Sequence, residues 1–259
     1  MNGNYDYLEI GASCFKTMAV SFKDSPEVRG ISIEPISEYL DELKYSMSEC
    51  INENKIFLNV AIDDQDNIKD FYYFDYYEFS KISKSNLGLS GVGSFDRSNV
   101  EFEVGIQLGE DYFKFIKHRK IPCMKINQLV EEYCIESVDV LKIDAEGYDG
   151  VILESMMKTT TLKPKIIIYE NLIIGRSSID GSEILKNLNE FIKGCGYYVT
   201  SYDKFNTICM KLDDFLEIKS LELTVPVNSS GSSMFRERLK QREKNTFNKL
   251  ELIERMHSR

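Results

Sequence analysis

Val138-Asp-Val-Leu-Lys-Ile-Asp-Ala-Glu-Gly147 decides how this chain is read. Val138, Val140, Leu141 and Ile143 form the apolar, β-branched run of a buried central strand. Asp144 stands where that strand must end, Glu146 follows two residues later, and Gly147 loosens the turn. Tyr148 to Met157 has helical spacing, with Val151, Ile152 and Met156 able to share a face. A strand that passes through an acidic turn into a helix puts carboxylates at the carboxyl edge of a sheet, where open α/β sheets bind ligands. The same acids also suit a plain helix N-terminus, where negative charge favours the macrodipole.

Two junctions of the same kind lie upstream. Tyr7, Leu8 and Ile10 suit a buried strand that carries Glu9 and runs into Gly11, Ala12 and Ser13. Gly11 allows a tight turn and a close ligand. A helix is expected to follow through about Phe22, its first amides facing the turn. Val28-Arg-Gly-Ile-Ser-Ile-Glu34-Pro35 is a second strand ending in an acid. Glu34 lies ~20 residues or slightly more beyond the first turn, the offset of a ribose-binding acid in α/β nucleotide folds. One carboxylate can accept from both ribose hydroxyls. Pro35 opens the next helix, whose stripe is Tyr39, Leu40, Leu43 and Met47. Each junction also fits an ordinary β–α turn with a solvated acid.

Lys55 to Ile62 reads as a third strand, and Phe71 to Phe79 as a strand or hairpin arm. Ser83 to Ser98, with Gly88, Gly91 and Gly93 among serines, is a loop that suits a lid or a plain surface turn. Val100 to Leu108 alternates like a strand, and Ile121 to Ile126 is another. Lys165 to Asn171 is a fifth parallel strand, followed by a helix over 180–193 and strands over 197–202 and 207–212. This organises the chain as a domain over 1–219 and a tail over 220–259. The tail opens on the linker Asn228-Ser-Ser-Gly-Ser-Ser233 and continues locally basic and helix-prone, a candidate arm for a homodimer.

The phrase LKIDAEGYDGVILESM, Leu141–Met156, closely resembles the signature of the FkbM-like family of S-adenosylmethionine-dependent methyltransferases, L-K-I-D-x-E-G-x-E-x-x-x-L. The resemblance covers roughly residues 5–215. It implies an α/β fold, a doubly wound, mostly parallel seven-stranded Rossmann-like methyltransferase sheet with helices on both faces. The family's first turn, D/E-x-G-A-N-x-G, is matched by Glu9-Ile-Gly11-Ala12-Ser13-Cys14-Phe15, with Ser in place of Asn and Phe in place of the second Gly. By resemblance, S-adenosyl-L-methionine lies over Glu9, Gly11, Ala12 and Ser13. Glu34 and Pro35 meet its ribose. Asn59, Ala61 and Ile62 approach the adenine, Ser94 is near the cofactor, and Asp144 and Glu146 stand beside the methyl donor. Metal-dependent small-molecule O-methyltransferases place ligands on the same two strand ends, so Asp144, Glu170 and Asn171 are candidate Mg²⁺ ligands. Glu170 equally suits a catalytic or substrate-binding acceptor. Family members modify glycans and natural products, which implies O-methylation of a hydroxyl on a sugar, glycan or sugar-containing metabolite. They usually carry N-terminal helices over the cofactor. Here the first strand comes almost at once, so loops, the tail or a second subunit are expected to cover it.

Composition narrows the partners. The chain has 259 residues, 42% of them hydrophobic, enough for one large α/β domain. A net charge of −10 disfavours nucleic acid as the partner and leaves a small-molecule or glycan substrate. No apolar run approaches the ~20 residues of a membrane span, and no secretory signal is visible. Six cysteines without C-x-x-C spacing suit reduced thiols in the cytoplasm. His118 and His257 are the only histidines, both in charged segments, so a histidine base is not expected. Two other classes stay open. A nicotinamide-dependent oxidoreductase also uses a Gly turn and a strand-end acid, but G-x-G-x-x-G is missing. A non-catalytic cofactor-binding interaction module would not need the acidic turn.

Overall fold

The computed structural model describes residues 3–14, 17–83, 89–170, 181–201 and 206–216. The chain divides into two units, Met1–Leu212 and Asp213–Arg259. Phe15, Gly88, Asn171 and the expected tail over 220–259 lie outside the described residues.

The strands, in chain order, are β1 (Asn4–Ile10), β2 (Gly30–Ile33), β3 (Lys55–Leu58), β4 (Ala61–Asp63), β5 (Ile68–Phe74), β6 (Gly93–Ser94), β7 (Ile116–Lys125), β8 (Ser137–Ile143), β9 (Ile166–Glu170), β10 (Tyr197–Ser201) and β11 (Asn206–Lys211). The α-helices are α1 (Met18–Ser21), α2 (Ser37–Ser46), α3 (Tyr76–Ser80), α4 (Arg97–Gln107), α5 (Ile126–Glu132), α6 (Asp149–Thr159) and α7 (Gly181–Gly194). Seven strands form the main sheet in the order β10-β11-β9-β8-β1-β2-β3. Pairing from β9 across to β3 is parallel, and only β11 runs against its neighbours. The expected mostly parallel seven-stranded α/β sheet is therefore present. Its central strands are apolar runs, as burial on both faces demands.

The register matters most for function. Ile10 sits opposite both Ile33 and Ile143, Ile33 opposite Leu58, and Ile143 opposite Tyr169. The residues that follow this row are Gly11, Glu34, Asn59, Asp144 and Glu170. Five strand ends thus stand level at the carboxyl edge, at neighbour spacings of ~4.8 Å.

A second sheet, β4-β7-β5-β6, lies in sequence between β3 and β8. It corrects four expectations. Lys55 to Ile62 is not one strand: β3 joins the main sheet and β4 pairs with β7. Phe71 to Phe79 leaves the sheet after Phe74, where Asp75 accepts from the Glu78 amide and starts α3. The loop around Gly93 and Ser94 pairs with Tyr72 and Tyr73 rather than standing free. Val100 to Leu108 is helical, not extended. Asp96 caps α4 by accepting from the Ser98 amide, and Val100 and Val104, four apart, are buried with Phe74, Phe79, Leu89 and Val92. The alternation was apolar residues on two sides of a helix.

After Gly11 the chain stays non-helical until Thr17, which caps the short α1. On α6 the buried face is Ile152, Leu153, Met156 and Met157, while Val151 is exposed. Among the described residues no helix is long and apolar enough to cross a membrane.

If α4 is a helix with this face, Val104→Ala should cost about 1.5–3 kcal/mol through lost burial and a cavity. Ile106→Ala, 63% exposed on the other side, should stay within about 0.5 kcal/mol. Urea unfolding of the two variants checks this; equal losses would favour the extended reading.

Candidate active site

The edge residues border one cleft. Gly11, Glu34, Pro35, Ala61, Ile62, Phe71, Gly91, Gly93, Phe95, Asp144, Ala145, Tyr148 and Ile152 line about 440 Å³ of space, part of it open to solvent. That is the range of small-molecule sites.

Glu34 forms the floor at the end of β2. Its carboxylate is buried, with Oε2 accepting from the Ser13 amide at 2.8 Å and Oε1 from the Ile36 amide at 2.8 Å. Burial pushes its pKa up to about 7, although both amides work the other way. Each oxygen keeps acceptor capacity beyond these bonds. Ser13 has a φ of 57°, and Gly91 lies so close that a Cβ there would sit 2.3 Å from Ser13 Oγ. Gly11 is required by the sheet itself. At a φ of 82° its Cβ would fall 1.9 Å from the Asp144 carbonyl oxygen.

Glu9 does not border the cleft. It is fully buried behind the turn, accepting at Oε2 from the Met18 amide at 2.9 Å and at Oε1 from Lys142 Nζ at 3.2 Å. Ala12 and Ser13 are likewise part of the turn rather than of the lining. Asn59 turns back to donate to the carbonyls of Glu34 and Pro35 at 2.9 and 3.0 Å. Ser94 donates to the Glu146 carbonyl at 3.2 Å, as Asn99 does at 3.1 Å.

The acidic turn is held by a residue that sequence reasoning passed over. Asp149 is fully buried and accepts from the Ala145 amide at 3.1 Å and the Glu170 amide at 3.0 Å, tying the turn to the end of β9. Burial, then the nearby Asp144, raises its pKa to about 7. Glu146 is half-buried at a φ of 48°. Burial, then the charge of Glu170, lifts its carboxyl well above the usual range. The Asp144 side chain is 44% exposed on the cleft and lies 3.6 Å from Lys142 Nζ.

The second sheet supplies the facing wall. Tyr148 donates to Asp63 Oδ1 at 2.6 Å, and Lys69 pairs with Asp63 Oδ2 at 2.5 Å. Burial opposes charge on Asp63, but Lys69 and Tyr148 outweigh it and lower the pKa. Phe95 meets Tyr148 edge-on, ring centres 5.0 Å apart, and Phe71 meets Phe95 at 5.5 Å. Among the described residues no three His, Cys, Asp or Glu side chains come together as a metal-binding group.

The methyltransferase FkbM domain matches residues 7–199, three strand ends and the acidic turn included. The chain belongs to that family. No curated protein matches it. Similar solved structures include a Methanococcus jannaschii fibrillarin pre-rRNA processing protein, 15% identical, covering 81% of this chain and 67% of that one at a TM-score of 0.40. An O-methyltransferase from Bacillus cereus in complex with SAH is 14% identical over 81% and 74%, TM-score 0.39. Aeropyrum pernix fibrillarin with natively bound S-adenosyl-L-methionine is 10% identical over 81% and 67%, TM-score 0.36. At these identities and scores no substrate is read across.

Within this FkbM domain, Lys142 and Asp149 had a visible signal. One is a charge inside an apolar run, and the other stands at the second Glu of the family signature. Phe71, Phe95 and Tyr148 had none, because their place depends on how the second sheet meets the turn.

Buried acids with raised pKa values give a signed pH dependence. Glu34 and Asp149 bind protons more tightly in the folded chain than unfolded, so stability is greatest at low pH and falls as pH rises from about 4 through 7. Each group contributes a slope of at most about 1.4 kcal/mol per pH unit in that window. Urea unfolding between pH 5 and 7 should show this decline, and Asp149→Asn should flatten it. A slope unchanged by Asp149→Asn would place its titration elsewhere.

Proposed function

We propose that this protein is an S-adenosylmethionine-dependent O-methyltransferase acting on a hydroxyl of a sugar, glycan or sugar-containing metabolite. The observation that carries the cofactor reading is the level row of Gly11, Glu34 and Asp144 around one cleft in an FkbM domain. The acceptor reading rests on the family resemblance and on the net charge of −10, which disfavours nucleic acid.

The residues present fit the cofactor. Glu34 offers its remaining lone pairs to ribose hydroxyls. Pro35, Ala61 and Ile62 give the adenine an apolar seat, and Asp144 offers an anion to the cationic methionine end. When bound, S-adenosylmethionine supplies a methyl group activated on a sulfonium. The chain must orient an acceptor hydroxyl in line with it and receive the hydroxyl proton. Glu146 suits the second task, since burial and Glu170 raise its proton affinity toward the working range of a general base. No step here uses Mg²⁺. The six free cysteines support work in a reducing compartment such as the cytoplasm.

Calorimetry should show binding of S-adenosylmethionine and none of NAD(H). Glu34→Gln should weaken that binding by about 1.5–3 kcal/mol, the scale of hydrogen bonds to a charged group. Unchanged affinity would remove Glu34 from the site, and NAD(H) binding would favour the oxidoreductase. With labelled methyl donor and a panel of sugar acceptors, Glu146→Gln should lower turnover by ~10²–10⁴-fold without loss of cofactor binding. Turnover that vanishes in EDTA and returns with Mg²⁺ would restore a metal role to Asp144 and Glu170.

A further inference from the structure

Lys142 is a cation in the middle of an apolar central strand, and it is buried. Taking an ion out of water costs several kcal/mol, and an apolar residue of similar volume often serves stability as well or better. The charge therefore has to be explained by its partners. Lys142 is in register with Glu9 on the neighbouring strand. Its Nζ lies 3.2 Å from Glu9 Oε1 and 3.6 Å from Asp144 Oδ2. The other oxygen of Glu9 holds the Met18 amide, the first residue of α1. One ammonium thus joins the far end of the first turn to the carboxylate on the cleft. Glu9 is the closer partner, so Asp144 keeps part of its charge for a ligand.

We propose that Lys142 is a positioning residue. Anchored by Glu9, its ammonium fixes the Asp144 carboxylate on the cleft so that it receives the cationic end of S-adenosylmethionine. This rests on the cofactor reading above.

The test is the full chain carrying Lys142→Met and Glu9→Gln together. The pair removes both buried charges, keeps their bulk, and leaves an oxygen for the Met18 amide. Its unfolding midpoint should stay near that of wild type. Calorimetry then uses two probes, S-adenosylmethionine and 5′-methylthioadenosine, which lacks the charged methionine end. Affinity for the first should fall about tenfold or more, the worth of a charged contact, while affinity for the second holds. A loss shared equally by both probes is a structural effect and overturns the proposal, as does no loss at all. Wild type that binds neither probe overturns the cofactor reading and this inference with it. Should the double variant not fold, a crystal structure of wild type with S-adenosylmethionine decides. Asp144 touching the ligand with Lys142 still against it supports the proposal; either one turned away overturns it.

Discussion

Parallel pairing in a single register is the constraint on which the site depends. Ile10, Ile33, Leu58, Ile143 and Tyr169 share one row, so the chain must leave five strands at the same edge. Each exit is a short reversal with backbone amides and carbonyls to satisfy. At two of the exits a carboxylate does this. Glu34 takes the amides of Ser13 and Ile36, and Asp149 takes those of Ala145 and Glu170. The acids that mark the site are also what hold its turns in shape.

That arrangement is electrostatically costly. Glu9, Glu34 and Asp149 are buried, and burial raises the proton affinity of each. Amide hydrogen bonds offset part of the cost. Lys142 offsets another part: burial works against its charge, but Glu9 and Asp144 together hold its pKa above the ordinary value. The edge is therefore a preorganised set of charges and dipoles, fixed before any ligand arrives. Asp63 extends it to the second sheet, where Tyr148 and Lys69 keep the carboxylate charged.

Much of the main sheet could be read from sequence, because a buried parallel strand ending in a polar turn is a local pattern. Gly11, Glu34 and Asp144 were legible for that reason, and the structure brings them to one cleft. Gly11 was read as room for a ligand, whereas its contact in the structure is the Asp144 carbonyl. The second sheet was less legible. Val100, Phe102, Val104 and Ile106 alternate, yet the Asp96 cap and the burial of Val100 with Val104 make them helical. The break at Asn59 and Val60 was hidden inside an apolar run, and only pairing partners reveal that β3 and β4 belong to different sheets. Glu9, Asn59 and Ser94 match or flank family positions, but each is turned to a neighbouring segment rather than to the cleft. Sequence placed them in the right neighbourhood and could not say which way they face.

The central claim is that the ends of β1, β2 and β8 form one cofactor cleft. Hydrogen–deuterium exchange with saturating S-adenosylmethionine tests it most directly, since exchange reports local opening segment by segment. The account predicts added protection together at 11–14, 34–37 and 144–148, with the outer strands little changed. Binding that protects none of these three segments, or only one of them, would contradict it.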